Sequence, residues 1–222
     1  MLSRYEVPVA YSMVALARQS SRLEPQPFQD FMCYWTAFNN IYTTLAEQKG
    51  HTARLRTQKD GSIRTRLNGS VQIPEVENAL TEREEIELAF GEFSENLKHE
   101  LITHPSTKFF VYRIPKWHGR RIEFDDSGQR LNGVINLRYT ADEKHPVWSP
   151  IDIQAYERYI QGKPEKGDKD LLARQMLFMI YTVRNNTFHG GKRADDANDR
   201  EVMEKAFPLL SMIVEHFIRG AG

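Results

Sequence analysis

Six large residues, Phe28, Phe31, Trp35, Phe38, Tyr42 and Leu45, recur at spacings of 3, 4, 3, 4 and 3. That rhythm puts them on one stripe of an α-helix, and a stripe of such large side chains is the mark of a helix buried against other helices. Met32, Cys33 and Ile41 widen the apolar face, and Gly50 closes the helix. Asn39 and Asn40 lie inside the aromatic run. A buried amide stranded without partners costs about 1–3 kcal/mol. Asn39, at i+4 from Trp35, therefore either hydrogen-bonds the last turn of a neighbouring helix or is satisfied by structural backbone contacts.

Other helices follow from the same reasoning. A first spans about Val7 to Arg18, with Val9, Met13, Leu16 and three alanines on its apolar face, and Pro25-x-Pro27 punctuates the chain after it. A long acidic helix is expected over about Glu75 to Thr103, where Ile86, Phe90, Phe93, Leu97 and Leu101 share one face. Thr81-Glu-Arg-Glu84 has a capping-box pattern, so two helices could meet there, and Gly91 is a weak point. Another helix begins at Asp168, with Leu171, Leu172, Met176, Met179, Ile180 and Val183 facing inward. The last uses Met203, Phe207, Leu210, Val214 and Phe217; Asn198 to Glu201 reads as its capping box, and Pro208 should kink it.

The segment of about 50–165 reads as an insertion between these helices. The weak alternation of Ile63, Thr65 and Leu67 between Asp60-Gly61 and Asn68-Gly69 allows a short hairpin, although a basic loop is the stronger expectation. Phe109 to Ile114 is β-like, Arg121 to Tyr139 fits a two-stranded hairpin, and Ile151 to Ile160 fits a short helix. Gly162 to Gly167 looks like a mobile linker.

Thirty basic and thirty acidic residues balance in the 222-residue chain, so no global field advertises a nucleic-acid partner. Locally, six basic residues including Arg54 and Arg56 stand against Asp60 between Lys49 and Arg66. Such a block serves equally as an RNA-facing loop or as a solvated surface. A single Cys33 leaves no internal disulfide and no multi-cysteine zinc site. With no apolar run near the ~20 residues that span a bilayer and no secretory h-region, the cytoplasm is the default compartment. No phosphate loop or zinc-protease motif occurs, and the histidines show no clear metal-ligand spacing.

One stretch remains, Tyr181-Thr-Val-Arg-Asn-Asn-Thr-Phe-His-Gly-Gly-Lys192. On an ideal helix Arg184 and His189, five positions apart, lie roughly 140° from each other around the axis. They can meet only if the helix ends between them or if a second chain brings its own pair. Gly190-Gly191 is a strong stop signal. The pair reads either as a cationic C-terminal cap or as two parts of a site.

A helical core ending in Arg-Asn-Asn-Thr-Phe-His resembles the HEPN superfamily (higher eukaryotes and prokaryotes nucleotide-binding domains). Its hallmark is an arginine, four to six intervening residues and a histidine, often with a polar residue straight after the arginine. Arg184, Asn185 and His189 match that pattern. The glycines and Lys192 that follow, and the helix Tyr34-Trp-Thr-Ala-Phe-Asn-Asn-Ile-Tyr42, look like Apea-like and related bacterial groups. The resemblance covers about residues 5–48 and 168–218. It implies a mainly α fold, a HEPN-type four-helix bundle carrying a long mixed helix and β-hairpin insertion, all in one domain. Many HEPN members are metal-independent endoribonucleases of toxin–antitoxin and antiphage systems, with no cofactor and a site shared across a homodimer; others are non-catalytic binding modules. The catalytic residues implied here are Arg184, His189 and Asn185. The substrate-binding set is Lys192, Asn186, Asn39, Arg54 and Arg56. The implied partners are RNA, a second copy of the chain, and an antitoxin or defence-system protein.

Overall fold

The computed structural model describes residues 2, 5–20, 26–53, 62–64, 70–72, 79–112, 151–188 and 197–218. Their order is α1 (Pro8–Ser20), α2 (Pro27–Gln48), β1 (Thr52–Ala53), β2 (Ser62–Arg64), β3 (Ser70–Gln72), β4 (Ala79–Leu80), α3 (Glu82–Phe90), α4 (Glu95–Thr103), α5 (Pro105–Tyr112), α6 (Ile153–Ile160), α7 (Asp168–Phe188) and α8 (Ala197–Ile218). The described chain is thus mainly helical. β2 and β3 pair antiparallel with Ile63 opposite Val71, and β1 pairs parallel with β4. The expected hairpin of Arg121 to Tyr139 lies outside the described residues.

α2 is the central helix. Phe31, Trp35, Phe38, Ile41 and Tyr42 are buried, and the helix packs against α1, α3 and α8. Each such side chain contributes about 1.5–3 kcal/mol by leaving water. Asn40 shows why a polar residue belongs in this helix: its Oδ1 accepts the Ala10 amide at 3.1 Å, satisfying an orphan donor in the first turn of α1. The Tyr11 hydroxyl donates to the Ile218 carbonyl at 2.9 Å and ties α1 to the end of α8.

Several expectations are corrected. The acidic stretch is broken at Gly91 to Ser94, not continuous to Thr103. Thr81 caps α3 with the full capping box. Ser94, whose hydroxyl accepts the Leu97 amide at 3.1 Å, then starts a fresh helix. Ile86, Phe90, Phe93, Leu97 and Leu101 are nonetheless all buried, because the turn keeps their faces aligned. Phe109 to Tyr112 is helical, not extended. Pro105 opens α5, and packing against α8, α4 and α6 overrides the β preference of Phe-Phe-Val-Tyr. Gly162 to Gly167 is a tied turn rather than a linker. Both glycines take positive φ, and Arg158 grips Asp168 through Nε at 3.1 Å and Nη2 at 2.9 Å. Leu171 faces outward, its place in the core taken by Ala173 and Leu177. Asn198 lies inside α8, which begins one residue earlier, so it is not the N-cap. α8 runs through Pro208.

Residues of α3, α4, α5 and α6 share one buried cluster with α1, α2, α7 and α8. Among the described residues of the 50–165 segment, α3 to α6 therefore contribute side chains to that core. Among the described residues no helix is long and apolar enough to cross a membrane.

Candidate functional site

α3 runs opposite in direction to α7 and meets it through three side-chain contacts. Arg174 meets Glu87 at 3.3 Å, Arg83 sits 4.6 Å over the Phe178 ring, and Arg184 meets Glu82 at 3.1 Å. Partners on α3 descend as those on α7 ascend, which is the register of two opposed helices. At its other end α7 is held by α4, through Lys98 to Asp170 at 2.7 Å and Lys169 to Glu95 at 3.0 Å. These ties fix the face that the last turns of α7 present.

Tyr181, Arg184 and Asn185 share that face, being three and four positions apart. Glu82, the first residue of α3, is the common partner of Tyr181 and Arg184. Arg184 Nη2 lies 3.1 Å from Glu82 Oε1, and Nη1 donates to Oε2 at 3.3 Å. Tyr42 donates to Oε1 at 2.9 Å and Tyr181 to Oε2 at 3.1 Å. One carboxylate thus accepts from a guanidinium and two phenols. Arg184 Nη1 also donates to Asn185 Oδ1 at 2.7 Å, and its guanidinium carbon stands 5.5 Å over the Trp35 ring. Asn39, on the exposed side of α2, donates from Nδ2 to the Tyr42 hydroxyl.

Burial comes first in setting the phenols. It pushes the Tyr42 hydroxyl far above its usual range, and the negative charge of Glu82 adds to that. Burial likewise raises Tyr181; the Asn185 amide opposes the shift and Glu82 reinforces it. Both tyrosines therefore remain protonated donors. Glu85, one turn deeper, is also pushed up, first by burial and then by the charges of Glu82 and Glu47. Its Oε1 has no hydrogen-bond partner among the described residues.

The structure brings together three of the residues read from the sequence. Arg184 and Asn185 touch directly, and Asn39 joins them through Tyr42 and Glu82 rather than by reaching α7 itself. Asn186 is in the last turn of α7. His189, Lys192, Arg54 and Arg56 lie outside the described residues. Glu82, Tyr42, Tyr181 and Trp35 are not among the site residues that the sequence names. Tyr42 and Trp35 looked like core filler in the aromatic seam, and Glu82 was one acid among nine between Glu75 and Glu100. The available signal was Tyr181, one helical turn before Arg184 and so on the same face.

Among the described residues no group of three or more His, Cys, Asp or Glu side chains is arranged to hold a metal ion. Comparison of the chain with protein-family models, with curated proteins and with solved structures gives no match.

Proposed function

We propose that this chain is a HEPN-type, metal-independent endoribonuclease, a toxin or antiphage effector of the cytoplasm that cleaves RNA at a site shared across a homodimer. One observation carries the reading. Arg184 and Asn185 are hydrogen-bonded to each other in the last turns of α7, with His189 the residue that follows Phe188, where that helix's described span ends. The chemistry suits the residue types. The 2′-oxygen attacks the neighbouring phosphorus, the P–O5′ bond breaks, and a 2′,3′-cyclic phosphate and a free 5′-hydroxyl result. Histidine, with an unperturbed pKa of about 6.5, accepts the 2′ proton, and a second histidine gives one to the departing 5′-oxygen. The dimer supplies that second histidine from the other protomer. Arg184 offers a permanently charged fork to the phosphorane oxygens. Asn185 holds that fork or orients His189. Lys192, Asn186, Asn39, Arg54 and Arg56 are the residues proposed to contact RNA.

A second reading is favoured by the Arg184–Glu82 pair. A guanidinium already bound to a carboxylate suits a non-catalytic HEPN module, in which Arg184 anchors α7 to α3 and the surface binds RNA or a protein. Incubating wild type, Arg184→Ala and His189→Ala with single-stranded RNA in EDTA separates the two. The first reading expects cleavage by wild type alone. Cleavage surviving both substitutions removes Arg184 and His189 from the chemistry, and RNA binding without cleavage by any of the three selects the second reading.

A further inference from the structure

Glu82 occupies the position on Arg184 that a phosphate would take. Both carboxylate oxygens face the guanidinium, at 3.1 Å from Nη2 and 3.3 Å from Nη1. The same planar fork recognises phosphate, and its Nη1–Nη2 edge cannot hold both anions at once. We infer that Glu82 is a resting-state clamp, which competes with an RNA phosphate for Arg184 and must be displaced before RNA engages that arginine. The inference rests on the reading of Arg184 as an RNA-contacting residue.

Three features suit a displaceable clamp rather than a permanent strut. The first is that each partner keeps other company when the pair opens. Glu82 retains the Tyr42 and Tyr181 hydroxyls, one on each oxygen, and its charge sits in the first turn of α3, where the helix dipole favours it. Arg184 retains Asn185 and the Trp35 face. Neither is left as an orphaned buried charge, the event that makes breaking a buried pair expensive. The second is access. The side chains are 18% and 26% exposed, so the pair is not sealed from solvent. The third is the local field. Glu84 shares the first turn of α3 with Glu82, so an incoming phosphate is repelled while Arg184 remains neutralised.

Glu82→Gln tests this directly, since glutamine keeps one acceptor oxygen for a tyrosine, lets its amide N–H donate to the other hydroxyl, and loses the charge. The probe is a short fluorescein-labelled single-stranded RNA with 2′-O-methyl riboses, which binds but cannot be cleaved by 2′-oxygen attack. Fluorescence anisotropy is expected to show E82Q binding it about tenfold more tightly than wild type, the scale of one charge-assisted hydrogen-bond contact. The gain is expected to vanish when E82Q/R184A is compared with R184A. Equal or weaker binding by E82Q overturns the clamp, as does a gain that persists without Arg184, which would be general repulsion only. The ribonuclease reading stands or falls separately, on cleavage by wild type in EDTA: a clamp without cleavage, or cleavage without a clamp, separates the two failures. Should E82Q fail to fold, Glu82→Asp carries the same test, because its shorter side chain withdraws the carboxylate from the fork; a smaller gain of the same sign is then expected, and none overturns the proposal.

Discussion

Arg184 and Glu82 are unequal partners, and the inequality is measurable. Arg184→Ala leaves Glu82 with two tyrosine donors, so its expected cost is about 1 kcal/mol, within the range of a net hydrogen bond or part-exposed ion pair. Glu82→Ala removes the acceptor of one buried and one half-buried phenol and the counter-charge of a guanidinium stacked on Trp35, with an expected cost of about 2–3 kcal/mol. Urea denaturation of both variants checks this; equal costs would contradict the asymmetry. The difference in how these residues are read from a sequence has the same origin. Arg184 and Asn185 are adjacent, so their association is written in a linear motif. Glu82 lies about a hundred positions away and reaches Arg184 only because α3 and α7 run antiparallel, which no local pattern states.

At the scale of elements, α3 is the part on which the site depends, since its first residue holds Arg184. Its start is set by Thr81 and Glu84, whose side chains each bond the other's backbone amide. Thr81→Ala is expected to cost about 1 kcal/mol, seen as a lower urea midpoint at unchanged m-value. Glu85 in the same helix gives a pH signature. Burial, then Glu82 and Glu47, raise its carboxyl above the usual glutamate range, so the folded state binds that proton more tightly than the unfolded state does. The associated stability is present at low pH and is lost as pH rises through the raised pKa. Glu85→Gln is therefore expected to melt above wild type at neutral pH, with the advantage disappearing in acid; thermal melts across that range check it. The start of α3 was legible as a capping box, and its buried face as a spacing. The break after it was not, because the apolar rhythm continues across Gly91 to Ser94 and masks the turn. α5 is hidden for a related reason: aromatic and β-branched residues favour a strand locally, and packing against α8, α4 and α6 makes them helical.

At the scale of the whole molecule, α2 packs into one core that also takes in residues of α3 to α6. The aromatic stripe of α2 announced its own burial, but it could not name which helices would cover it. Trp35→Ala is expected to cost about 3–5 kcal/mol, because the ring fills the centre of the core and also forms the floor beneath Arg184. The shared-cleft mechanism asks for two copies of the chain, since one His189 supplies a single proton-transfer group. Sedimentation equilibrium is expected to show a dimer, and a strict monomer would remove the basis for a two-histidine site. The most direct test is the chemistry itself. Wild-type protein and single-stranded RNA are mixed in EDTA, and the products are identified by mass spectrometry alongside those of R184A and H189A. Wild-type cleavage is expected to leave 2′,3′-cyclic phosphate ends and to be lost in both variants. Intact RNA with wild type, or cleavage that persists without Arg184 and His189, would contradict it.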